Sequence, residues 1–255
     1  MLLVCDIGNT NTVLGAFEGQ RLVDHWRVST ARKRTVEEWA LLVRQLMSMS
    51  GLASEAVSCA AMASVVPPLT PTVVGALERT AGVTPLVVGP GVKTGMPILY
   101  ENPKEVGADR IVNAVAAYER YRQALIIVDL GTATTVDCVT ERGEYLGGAI
   151  APGIAISMDA LFHAAAKLPR VDFARPRNVI GRNTVESIQS GVLFGYVSLV
   201  DGLVRRLADE MGCDVTVIAT GGLAGVIATK SEVIDLVEPH LTLEGLRLIF
   251  EKNQV

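Results

Sequence analysis

Histidine is scarce in this 255-residue chain: His25, His163 and His240 stand far apart, and none lies near a cysteine at ligand spacing. A histidine-based triad and a His/Cys zinc site therefore both lack their raw material. Cys5, Cys59, Cys138 and Cys213 form no C-x-x-C, so buried reduced thiols are expected. Charge of one sign is also missing. The 23 Lys and Arg against 27 Asp and Glu leave a net charge of -4 with both signs scattered, which excludes the basic field that holds nucleic acid. No G-x-x-x-x-G-K-[ST] occurs, excluding a P-loop NTPase, and no G-x-G-x-x-G follows a strand. MLLVCDIGNT has no basic n-region and is interrupted by Asp6, so it is not read as a secretory signal and a cytoplasmic location is expected. With 24 Gly and 11 Pro the chain is neither collagen-like nor low in complexity. The longest charge-free run, Ala56 to Leu77, contains Pro67, Pro68 and Pro71, so despite a mean hydropathy of +0.37 it reads as buried α/β core, not a membrane span.

What is present is a core-building composition, 49% hydrophobic and 20% charged, enough for one large domain or two medium ones. Strand-like runs alternate with helix-period segments. Leu2 to Cys5 and Thr12 to Phe17 flank a Gly-Asn-Thr-Asn turn and predict a hairpin. Thr35 and Glu38 form a capping box ahead of a stripe of Val36, Trp39, Ala40, Val43, Leu46 and Met47. Val57 to Val66, Leu86 to Val88 and Leu125 to Val128 read as strands, and a helix begins at Asp109 with Ile111, Val115 and Tyr118 on one face.

The most informative pattern is a repeat. DIGNTNTV at residues 6–13 returns as DLGTATTV at 129–136, each copy after an apolar strand and before another β-prone stretch. Two copies about half a chain apart predict two related α/β domains, 1–118 and 119–255, not a solenoid. A D-x-G turn between strands can offer backbone N–H groups and a hydroxyl, from Thr10 or Thr132, to an anion. The aspartate repels bare phosphate and would hold a cation, Mg²⁺ through water in the case of Asp6. Two ordinary tight turns, which also favour Asp and Gly, are the alternative. A third glycine turn, Thr220 to Gly222, follows the strand-like Val215 to Ala219 and could lie against an adenine or ribose.

Together with Tyr100, Asn102 and Pro103, GADR at 107–110, GGAIAPG at 147–153, RNT at 182–184 and IQSG at 188–191, these turns resemble the type III pantothenate kinases, members of the actin, Hsp70 and sugar kinase superfamily. The resemblance implies two ribonuclease H-like, actin-like ATPase domains with a nucleotide cleft between them. It also implies phosphorylation of pantothenate by ATP with Mg²⁺, the first committed step towards coenzyme A. It assigns ATP to Asp6, Ile7, Gly8, Asn9, Thr10, Asn11, Thr12, Val13, Thr132, Gly221 and Gly222. Pantothenate falls to Tyr100, Gly107, Ala108, Asp109, Arg110 and Thr184, with Asp109 as proton acceptor. Asp129 is implied as the ligand of a monovalent cation, potassium or ammonium. A homodimer is implied as well, with the substrate site near the subunit interface and Thr184 opposite the other groups.

Several residues keep a plainer reading. Asp109 can be a helix N-cap, Arg110 a surface helix residue, and Asp137 a strand-end aspartate. Arg170, Arg175, Arg177 and Arg182 lie in a segment read as an exposed loop that can serve as a lid or interface. Gly191, Gly195 and Gly202 in an otherwise helical stretch suggest close helix packing, within or between subunits. A kinase for another small hydroxy substrate and a non-catalytic nucleotide-binding regulator are the competing functions; neither nucleic acid nor a membrane is an expected partner.

Overall fold

The computed structural model describes residues 1–254 and divides into two compact units. Unit 1 comprises residues 1–96, 101–116 and 241–255, and unit 2 comprises 97–100 and 117–240.

In unit 1, β1 (Leu2–Ile7) runs antiparallel to β2 (Asn11–Glu18), which pairs antiparallel with β3 (Arg21–Ser29). After α1 (Val36–Met49), β4 (Cys59–Ser64) lies parallel to β1. Helix α2 (Thr70–Ala81) leads to the short β5 (Leu86–Val87), parallel to β4, giving the order β3-β2-β1-β4-β5. Strand β1 is apolar from Leu2 to Cys5 because both of its faces are covered there. Leu3, Cys5 and Ile7 pack in one core with Trp39, Val43 and Met47 of α1 and Val73 and Leu77 of α2. The capping box at Thr35 forms as expected: its hydroxyl accepts the Glu38 N–H at 3.3 Å, and Glu38 accepts the Thr35 N–H at 2.7 Å. The charge-free run resolves into β4, a turn and α2, with Pro71 near the helix start, where a proline fits. Helix α3 (Ala108–Tyr121) starts one residue before Asp109.

Unit 2 repeats this plan. β6 (Leu125–Leu130) pairs antiparallel with β7 (Ala133–Val139), and β7 pairs antiparallel with β8 (Tyr145–Pro152). Helix α4 (Ile154–Ala164), an irregular segment and the long helix α5 (Thr184–Met211) follow. β9 (Thr216–Thr220) lies parallel to β6, and after α6 (Ala224–Ala228) comes β10 (Leu236–Val237), parallel to β9. The order β8-β7-β6-β9-β10 is that of the first sheet, and β1 and β6 share one burial pattern. The hairpins differ by one residue: Ile7 pairs with Thr12, whereas Leu130 pairs with Thr134.

Three expectations are corrected here. Residues 241–255, expected in the second domain, belong to unit 1, because α7 (Leu241–Lys252) lays its apolar face on β1, β2 and β4. Of the four free cysteines only Cys5 and Cys138 are buried, while Cys59 is half-buried and Cys213 exposed; burial pushes the Cys5 thiol pKa far up and leaves it inert. A Cβ added at Gly191 or Gly195 would meet nothing within 4 Å among the described residues. They line an open groove of about 960 Å³ with Pro152, Leu161, Leu168 and Leu199. The opposite side of α5 carries Leu193, Val197, Val200 and Val204 into the core of unit 2. This helix is long and apolar enough to cross a membrane, and that apolarity serves the core and the groove.

The capping box gives a quantitative expectation. Thr35→Ala should destabilise the protein by about 1 kcal/mol, seen as a lower urea midpoint, whereas an unchanged midpoint would show that the cap contributes nothing to α1.

Candidate functional site

The first D-x-G turn joins β1 to β2. Asp6 is half-buried on β1, between Val13 of β2 and Ala63 of β4. The Gly8 N–H donates to Asn11 O at 3.0 Å, closing the turn and leaving Asn9 and Thr10 exposed at its tip. Ile7 and Thr12 are fully buried, so Ile7 can offer a ligand only its backbone, and the Thr12 hydroxyl lies 2.9 Å from that of Thr30. The Arg32 guanidinium donates to Asn9 Oδ1 at 2.9 Å. Neither Thr30 nor Arg32 was signalled by a motif.

Gly107 to Arg110 open α3 in the same unit. Asp109 sits inside the first turn, not at the cap, and its Oδ1 accepts the Arg110 N–H at 2.8 Å. A Cβ at Gly107 would stand 2.5 Å from that carboxylate oxygen, so a larger residue there would displace the Asp109 side chain. Arg110 is only 7% exposed, which corrects the surface reading: the guanidinium is built into the protein, and its Nη2 is buried. Helix α7 braces this element, with the Thr242 hydroxyl donating to Asn113 Oδ1 at 2.7 Å.

In unit 2, Asp129 stands half-buried near the end of β6, paired with Thr135 of β7 and Thr220 of β9. The TGG turn closes over it: Gly221 has φ +93°, and a Cβ there would meet Asp129 Oδ1 at 2.6 Å and Leu130 O at 2.8 Å. Asp129, Gly221 and a backbone carbonyl are thus brought together, a donor set of one carboxylate and neutral oxygen. Thr132 lies half-buried in the second turn, and Gly222 is exposed.

Tyr100 ends a segment that pairs with β8. The Leu99 N–H donates to Tyr145 O and the Tyr145 N–H to Pro97 O, each at 2.8 Å, and the Tyr100 ring faces Gly147. Asp137 corrects the strand-end reading. It lies within β7, fully buried, and accepts the Tyr145 hydroxyl at 2.7 Å and the Thr135 hydroxyl at 3.2 Å. Thr184 is exposed at the start of α5, which Asn183 caps by accepting the Glu186 N–H at 2.9 Å, and it lines the groove with Gly191 and Gly195. Arg170, Arg175, Arg177 and Arg182 are all exposed, as expected of that loop. Among the described residues no three His, Cys, Asp or Glu stand together as a metal cage. The single half-buried carboxylate of Asp6, beside an exposed turn, fits a Mg²⁺ ion that keeps most of its waters and takes phosphate oxygens.

Comparison with known proteins agrees with the fold. A family model described as type III pantothenate kinase matches residues 2–206. A type III pantothenate kinase of Anaeromyxobacter sp. (strain Fw109-5) is 62% identical over 254 residues, covering 100% of both chains. One from Myxococcus xanthus (strain DK1622) is 58% identical and covers 99% of both. Among solved structures, the inorganic polyphosphate/ATP-glucomannokinase of Arthrobacter sp. strain KM superposes with a TM-score of 0.51 at 13% identity, covering 100% of this chain and 99% of that one, a likeness of fold. A family match over residues 2–206 and full-length relatives at 62% and 58% identity settle the assignment: the chain belongs to the type III pantothenate kinases.

Proposed function

We infer that this chain carries out the reaction for which its family is named, transfer of the γ-phosphoryl group of ATP to the primary hydroxyl of pantothenate, giving 4'-phosphopantothenate for coenzyme A synthesis. The observation that carries the reading is the D-x-G turn occurring twice, each time at the end of the central strand of an identically ordered sheet. Such transfers need positioning and charge neutralisation more than covalent help, because their transition states are loose. Residues 6–13 and Thr132 contact the nucleotide phosphates through backbone N–H groups and hydroxyls, and Gly221 and Gly222 leave room for the nucleoside. Asp6 holds Mg²⁺ through water. Mg²⁺, when bound, neutralises charge on the phosphate oxygens.

Asp129 holds a monovalent cation, potassium or ammonium. Its surroundings favour this assignment, since a large weakly hydrated cation accepts a mixture of carboxylate and carbonyl oxygen. Asp109 accepts a hydrogen bond from the pantothenate hydroxyl, aims it at the γ-phosphorus and takes its proton. Its main contribution is orientation, with the proton leaving late in a loose transition state. Arg110 pairs with the pantothenate carboxylate, for which a guanidinium fork is well shaped. Tyr100, Gly107, Ala108 and Thr184 complete the substrate contacts. The domains act as the halves 1–118 and 119–255, apart from α7. The enzyme works in the cytoplasm.

A second copy of the chain covers the groove at Gly191 and Gly195. Bare glycines allow backbone to approach closely, and the groove wall is apolar. Thr184 stands in the wall of that groove, so dimerisation would bring the partner next to a substrate contact.

Two experiments test these readings. Incubation with ATP, Mg²⁺ and pantothenate should form 4'-phosphopantothenate, faster when potassium or ammonium replaces sodium. Asp109→Asn retains an oxygen for the Arg110 N–H, so it should fold and bind pantothenate by calorimetry while kcat falls about 10²-fold or more. Absence of product from folded wild type would leave a kinase for another hydroxy substrate or a non-catalytic nucleotide-binding protein, and full activity in Asp109→Asn would remove the base. Secondly, light scattering should give twice the chain mass, and Gly195→Arg should return it to one; a monomeric wild type contradicts the covered groove.

A further inference from the structure

The turn between β1 and β2 is held by a residue outside every motif. Thr30, one position beyond β3, is bonded to the turn three ways. Its N–H donates to Thr10 O at 2.9 Å, its hydroxyl donates to Gly8 O at 2.7 Å, and its Oγ1 lies 2.9 Å from Thr12 Oγ1. A hydroxyl has one proton. With that of Thr30 given to Gly8 O, Thr12 is the donor in the Thr12–Thr30 pair.

These bonds orient the turn. The described residues contain no cis peptide, and in a planar trans peptide the carbonyl and the next residue's N–H point in opposite directions. Drawing Gly8 O and Thr10 O towards Thr30 therefore turns the N–H groups of Asn9 and Asn11 away from it. Without the Thr30 hydroxyl the 8–9 peptide loses the partner that sets its direction.

The second turn shows that this brace is particular to the first. Asn11 pairs with Ser29, so Thr10 faces Thr30; in the repeat Ala133 pairs with Pro152, so Thr132 faces Gly153, which has no hydroxyl to give. Ala133 O accepts from Gly131 at 3.1 Å, as Asn11 O does from Gly8, and Gly153 backs the turn so closely that a Cβ would stand 2.1 Å from Thr132 O. One turn is braced by a hydroxyl and the other by bare backbone.

We propose that Thr30 is a positioning residue for nucleotide binding: by holding the Gly8 and Thr10 carbonyls it presents the Asn9 and Asn11 N–H groups to the phosphates of ATP. The proposal rests on the reading of residues 6–13 as a phosphate-binding turn. It predicts an effect on ATP alone, because no contact of Thr30 reaches the residues assigned to pantothenate.

Thr30→Val removes the hydroxyl and keeps size, branching and backbone N–H; Thr30→Ser keeps the hydroxyl. Calorimetry with ATP and Mg²⁺, without pantothenate, should show affinity reduced about fivefold to tenfold in the valine variant and near wild type in the serine variant, in line with the loss of one or two neutral hydrogen bonds. Steady-state kinetics should show the same rise in the ATP KM with the pantothenate KM unchanged. Should valine unfold the protein, Thr30→Ala is compared with Thr30→Ser, its match in size. Wild-type ATP affinity in the hydroxyl-free variant, or an equal rise in both KM values, overturns the proposal. If wild type binds ATP yet forms no phosphopantothenate, the functional reading fails while the affinity comparison still judges Thr30.

Discussion

Each sheet is organised around a central strand buried on both faces that carries an aspartate at its second-last position. Leu2 to Cys5 and Leu125 to Val128 are buried throughout, which secures them as centres of five-stranded sheets. An apolar strand covered on both sides must change character where it leaves the core, because backbone groups beyond the ladder need water or a ligand. Asp6 and Asp129 mark that point. Both lie where parallel strands of the sheet have their carboxyl ends, the end at which open α/β sheets gather ligands. The fold thus creates two polar turns on rigid strands, and the chemistry falls to small residues in them.

Duplication supplied two such turns, and the copies have since diverged. The first hairpin encloses one more residue than the second, Thr30 braces one and Gly153 the other, and only the second has a TGG turn folded over its aspartate. These differences suit unequal roles. The second aspartate lies against glycine backbone and near a carbonyl, whereas the first stands beside an exposed turn tip. A net charge of -4 is no obstacle to binding anionic substrates, because local backbone dipoles and bound cations act over short range where a global field is screened.

Much of this was legible in the sequence. Strands β1, β2, β6 and β7, the Thr35 cap and the turns were readable because each rests on local chemistry: an apolar run, a hydroxyl followed by a carboxylate, an aspartate before glycine. Helix α7 was not, since an amphipathic helix announces that it has a buried face without naming the sheet that buries it. Edge strand β3 alternates between exposed and half-buried residues and offers too weak a pattern to stand out. The plainer readings of Arg110 and Asp137, as a surface and a strand-end residue, failed for the same reason. A charged residue in an element looks solvent-facing until its partner, such as Tyr145 eight residues later, is located in space. Thr30 escaped notice because its significance lies in a register, Thr10 facing Thr30, that only the paired strands define.

The central claim is that both turns hold the nucleotide through their backbone amides. Amide hydrogen exchange, followed in peptides covering residues 8–12 and 131–135 with and without ATP and Mg²⁺, reads those groups directly. The account predicts slowed exchange in both peptides on nucleotide binding. Unchanged exchange in both turns, with ATP demonstrably bound, would contradict it.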